Sequence, residues 1–196
     1  MRKLKISVAF PTLMMLVAFI LSGQTKLLIG TVCAAAIHEL GHIIAAYLMK
    51  IPIFEFSLDI FGARLKTGVR LLSYADEIKL SSAGPVANFL SIIAFLPSAH
   101  NILSTDGILS SFFAASLALG LLNLLPIPSF DGGRILVCTI SYFWDSEKAE
   151  KTVKYISFLF IFALWSLSSY LLLRTGTSLS LFIFTLSIFA KFFVSE

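Results

Sequence analysis

The chain has 196 residues, 58% of them hydrophobic and only 13% charged, with 19 phenylalanines. Soluble domains are typically about half apolar and about a quarter charged, so a soluble globule is excluded and a membrane bundle of spans of about 20 apolar residues is favoured. The net charge of +4 does not argue for nucleic acid, because the basic residues are scattered between apolar runs rather than gathered into a patch.

Six spans are predicted, at roughly 6–22, 27–48, 78–96, 108–126, 152–173 and 177–194. The first follows MRKLK, a basic start that suits a signal peptide. However, LSGQTK offers no small-x-small cleavage site, so this segment is expected to stay as an anchor.

The second span, within TVCAAAIHELGHIIAAYLMK, carries His38, Glu39 and His42. Ionisable groups at bilayer depth are costly and face a protein interior or a wet cavity. On a helix, residues i and i+4 share a face, so H-E-x-x-H lets both imidazoles bind one zinc ion while the glutamate serves as general base. The bland alternative is a polar patch that glues helices together. Gly41 and the alanines at 34, 35, 36, 45 and 46 suit close helix approach around such a site, or generic small-residue packing.

Between spans two and three, Phe54, Phe56, Leu58 and Ile60 alternate with Glu55, Ser57 and Asp59. A period of two marks a strand with one wet face. Gly62 permits a turn, and Ala63, Leu65 and Thr67 then alternate with Arg64 and Lys66. A short β-hairpin at the membrane surface is expected, with a free edge to which an extended peptide can add; an amphipathic loop is the alternative.

The third span contains AGPVAN, residues 83–88, read either as a kinked helix with a buried amide or as part of a site. His100 falls in an expected outer loop, away from the other histidines. A zinc held by two histidines needs a further ligand and an open position. Asp131, in LLNLLPIPSFDGGRIL at the cytoplasmic end of the fourth span, is the better candidate. Pro126, Pro128, Gly132 and Gly133 are expected to break the helix there, and irregular backbone at this depth is tolerated beside a cavity. The same residues also suit a plain solvent turn. Cys33 and Cys138 read as packing residues, although thiolate ligation is conceivable. RTGT joins the last two spans as a tight hairpin.

With the N-terminus in the cytoplasm, thirteen basic residues fall inside and only Lys26 and Arg174 fall outside. The positive-inside rule therefore sets both termini in the cytoplasm. The expected fold is an all-α polytopic membrane protein of about six transmembrane helices with a membrane-surface β-hairpin between spans two and three. Residues 1–196 form one integral-membrane domain with no soluble domain and a catalytic core at about 27–144.

HELGH, AGPVAN and N-x-x-P-x-P-x-x-D-G-G (residues 123–133) occur in an order that resembles the site-2 protease family of intramembrane zinc metalloproteases. Six spans without an inserted PDZ domain look most like the sporulation factor FB subgroup, from which the lack of a CBS domain here departs. The resemblance implies His38, His42 and Asp131 as ligands of one zinc per chain, with Glu39 as catalytic base. It also implies Asn88 near the site, binding substrate backbone or an oxyanion, and Asn123 shaping the Asp131 loop. The implied partners are the lipid bilayer, a membrane-anchored or membrane-associated protein substrate and a regulatory membrane protein, with no nucleic acid and no readable oligomeric state. The implied reaction is peptide-bond hydrolysis close to the cytoplasmic face. A metal-ion transporter and an inactive scaffold are the competing readings.

Overall fold

The computed structural model describes residues 5–8, 25–51, 53–59, 62–67, 72–97, 107–176 and 179–194. The chain divides into two compact units, Met1–Leu124 and Leu125–Glu196. The expected core at 27–144 runs across that division.

Among the described residues, the first unit holds three strands and three helices. Strand β1 (Lys5–Val8) pairs in parallel with β2 (Ile53–Asp59), which pairs antiparallel with β3 (Gly62–Thr67). This corrects two expectations. The first span was drawn from residue 6, but Ile6–Val8 belong to a strand in register with Phe56–Leu58; residues 9–24 lie outside the described residues. Gly62 was expected in a turn, but it opens β3 opposite Asp59. The register shifts between Ile53 and Glu55, a bulge that locally bends a strand. Where a two-stranded hairpin was expected, the described residues form a three-stranded sheet with β2 at its centre.

Helix α1 (Thr25–Leu48) buries Gly30, Ala34, His38, His42 and Ala46, one residue per turn along a single row. Small residues on such a row let neighbouring backbones approach. A Cβ at Gly30 would stand 2.6 Å from the Phe112 nitrogen, and one at Gly41 would stand 2.5 Å from the Ala83 oxygen. Gly30 therefore seats α1 against α3 (Ile108–Asn123), and Gly41 seats it against α2 (Tyr74–Phe95). The close approach foreseen for Gly41 is present, and of the five alanines Ala34 and Ala46 are the buried ones.

Helix α1 ends in a Schellman pattern: the Lys50 amide bonds the Tyr47 carbonyl at 3.0 Å and the Ile51 amide bonds the Ala46 carbonyl at 2.8 Å. Lys50 takes the left-handed position with φ 55°, where a side chain costs about 1 kcal/mol relative to glycine. Lys50→Gly is expected to stabilise the chain by about 0.5 kcal/mol after the added unfolded-state entropy is offset. A later midpoint in a denaturing-detergent titration checks this.

Helix α2 starts at a cap: the Ser73 hydroxyl accepts from the Asp76 amide at 3.2 Å, with Asp76 and Glu77 in the first turn. Both devices satisfy or offset the bare amides of a helix start. Helix α3 ends at Asn123, short of the expected residue 126.

In the second unit, residues 125–130 form two tight turns. The Ile127 amide bonds the Leu125 carbonyl at 2.7 Å around Pro126, and the Phe130 amide bonds the Ile127 carbonyl at 2.9 Å around Pro128 and Ser129. Proline presets φ for the centre of the first turn and the second position of the other. Helix α4 (Asp131–Phe143) follows. Gly132 and Gly133 are therefore part of a helix, not its break as expected; the break is the proline segment before them. Gly133 is required where it stands, because a Cβ would collide with the Ile127 carbonyl and come within 2.9 Å of the Pro128 Cα.

Helix α5 (Ser146–Thr175) buries Ala149, Val153, Ser157, Ile161 and Ser168 on one row. The buried Ser157 hydroxyl reaches both the Pro126 and Val153 carbonyls, fastening the proline segment to α5. Gly176, with φ 67°, terminates α5, as left-handed glycines do. Helix α6 (Leu179–Val194) packs on α5 through a Ser168–Thr185 hydroxyl bond of 2.7 Å and a Trp165–Phe189 stack.

Among the described residues, α1, α2 and α5 are long and apolar enough to cross a membrane. Helix α3 and Leu181–Ala190 of α6 are apolar but shorter. Leu40, Ile44, Leu90, Ile93 and Leu173 are each at least half exposed, as apolar residues facing lipid would be. The chain is a membrane protein.

Candidate metal centre

The row that buries Ala34 and Ala46 also buries His38 and His42, which are 5% and 8% exposed. Their Nε2 atoms stand 3.2 Å apart. The Nδ1 of His42 lies 2.8 Å from the Leu80 carbonyl oxygen of α2. A carbonyl only accepts, so this nitrogen carries the proton and a neutral His42 presents Nε2 as a lone pair. Two nitrogens bound at about 2.0–2.1 Å to one tetrahedral zinc would be separated by about 3.3 Å. The pair fits such an ion in spacing, and the second nitrogen of His42 is held by a carbonyl acceptor, as metal-ligating histidines require.

Gly84 of α2 forms the wall of this space. A Cβ there would touch His42 Nε2 and stand 2.7 Å from His38 Nε2. Beside it, Pro85 is buried within α2; its missing amide leaves that turn one ladder bond short. One turn further along, Asn88 is fully buried, with Nδ2 3.2 Å from His38 Nδ1. Glycine in a helix interior costs about 1 kcal/mol. Gly84 was flagged within AGPVAN as part of a kink or a site, but its place against the imidazoles was not foreseen.

Of the residues expected at the site, His38, His42 and Asn88 are brought together. Glu39 is half-buried on α1, next to His38 in sequence. Asn123 is the last residue of α3, and its amide donates to the Leu119 carbonyl at 3.0 Å, so that end of the side chain closes its own helix. Asp131 is the first residue of α4, where the helix dipole favours a carboxylate. Cys33 is exposed and Cys138 buried. His100 lies outside the described residues.

Against solved structures, the chain is similar to the site-2 protease from Methanocaldococcus jannaschii, with a TM-score of 0.66 and 23% identity over 96% of this chain and 88% of that one. The chain has the site-2 protease fold. A model of peptidase family M50 matches residues 99–164, a segment that includes Asn123 and Asp131 and leaves out the H-E-x-x-H of α1. No curated protein matched the sequence.

Proposed function

We propose that the chain is an intramembrane zinc metalloprotease that hydrolyses a peptide bond of a membrane-anchored or membrane-associated protein near the cytoplasmic face. The observation that carries this reading is the pair of imidazole nitrogens 3.2 Å apart on an apolar helix, beside Glu39, with the His42 proton fixed by the Leu80 carbonyl. The site-2 protease fold and the M50 match support it. Six spans without a PDZ insert would favour the sporulation factor FB subgroup.

In this reading His38 and His42 supply two nitrogen ligands to one zinc ion, and Asp131, with a carboxylate at a helix start, supplies the third. When bound, the ion supplies Lewis acidity, polarising the scissile carbonyl and lowering the pKa of water. Glu39 accepts the proton of the attacking water and passes it to the leaving amine. Six spans with both termini in the cytoplasm, as the basic residues favour, would open this end to cytoplasmic water.

The sheet is assigned to the membrane surface, where an extended substrate adds as a strand. With β2 flanked on both sides, β1 and β3 are the outer strands among the described residues, and docking is assigned to the β3 edge at Gly62–Thr67. A proline in residues 54–60 therefore tests the sheet itself, and one in 62–67 tests the edge.

The reading is tested with purified protein in detergent and a panel of membrane-tethered peptides. Cleavage is expected to stop when a chelator removes the metal and to return when zinc is restored. Asp131→Ala is expected to remain inactive at the same zinc concentration. Cleavage that survives full chelation would overturn the metal-dependent reading.

A further inference from the structure

We infer that Asn88 is a positioning residue that holds His38 in either of two tautomers through the two ends of one amide; this rests on the metal-site reading above. His42 carries its proton on Nδ1, against the Leu80 carbonyl, so its Nε2 only accepts. The 3.2 Å approach of the two Nε2 atoms then has two solutions. In one, His38 Nε2–H donates to His42 Nε2, leaving His38 Nδ1 bare to accept from the Asn88 amide nitrogen, 3.2 Å away. In the other, both Nε2 lone pairs turn to a shared cation. The His38 proton must then sit on Nδ1, and a buried N–H needs an acceptor.

Asn88 offers that acceptor. Among the described residues its Oδ1 is buried without a hydrogen-bond partner. Rotating the amide by about 180° exchanges oxygen and nitrogen without moving another atom. The Oδ1 then accepts from His38 Nδ1–H and aims the Nε2 lone pair at the ion. The metal-free pair uses the donor end and the loaded site uses the acceptor end. No other side chain of this size presents both groups on one rotatable plane: aspartate only accepts, and leucine does neither.

The test measures zinc affinity by chelator competition and the visible spectrum of the cobalt-substituted protein, for wild type, Asn88→Asp and Asn88→Leu in detergent. Asn88→Leu is expected to weaken zinc by about 10–100-fold, the usual cost of losing a group that orients a ligand. Asn88→Asp, which keeps the acceptor, is expected to stay within about threefold of wild type with an unchanged cobalt spectrum. If Asn88→Leu does not fold, Asn88→Asp decides alone: a tenfold loss there means the donor end was what mattered, and overturns the inference. Wild-type affinity in Asn88→Leu overturns it too, leaving the metal site standing. A wild-type chain that binds no zinc overturns both this inference and the reading beneath it.

Discussion

Replacing Gly84 with alanine is expected to weaken metal binding and lower the metal content of the purified chain while leaving the rest of the first unit folded. The added Cβ would stand 2.7 Å from His38 Nε2 and 2.8 Å from His38 Cε1, and closer still to His42 Nε2. Those nitrogens are the atoms that would bind the ion, so the methyl group competes for the space that the ion needs. Neither ring can easily step aside, because His42 is held at Leu80 and His38 at Asn88. Overpacking of this kind costs about 1–3 kcal/mol, or about 5- to 150-fold in affinity, and cleavage would fall at least as far. Gly120→Ala is the control. A Cβ there meets only the Phe89 ring tip at 2.9 Å, which can swing away, so metal content should be kept. Elemental analysis of the two purified variants checks the contrast, and full metal in Gly84→Ala would contradict the geometry.

Glu39→Gln is expected to separate binding from chemistry. Glu39 is one residue beyond His38, about 100° further round the helix, so it stands beside the imidazole pair rather than on their face. Glutamine keeps the volume and polarity of the side chain but cannot take the proton of an attacking water. Loss of a general base typically costs about 10²–10⁴-fold in rate, whereas the ligand nitrogens are untouched. The variant should therefore hold zinc as wild type does and cleave at least about 100-fold more slowly.

The helices around the site were legible because their apolar runs are long and their polar punctuation is strong. The predicted span at 27–48 is found as Thr25–Leu48, and H-E-x-x-H put both histidines on one face, as i,i+4 spacing requires. The third span began at 78 on hydropathy but starts at Tyr74. Its first turn is polar, and the S-x-x-D of the cap at Ser73 was the signal that hydropathy overlooks. Helix α4 was hidden because D-G-G-R reads as a turn, although glycine is tolerated where amides have no helical partner to lose. Strand β1 was hidden because its apolar residues run on into an apolar segment and its pairing with β2 is not local. The Leu80 carbonyl was beyond reach in principle: every residue has one, and only the packing of α2 on α1 selects it.

The most direct test of the account measures zinc content and cleavage of membrane-tethered peptides side by side, on wild type and Glu39→Gln purified in detergent. The account predicts about one zinc per chain in both proteins and cleavage by wild type alone. A wild-type chain that holds no metal, or a Glu39→Gln variant that cleaves as fast as wild type, would contradict it.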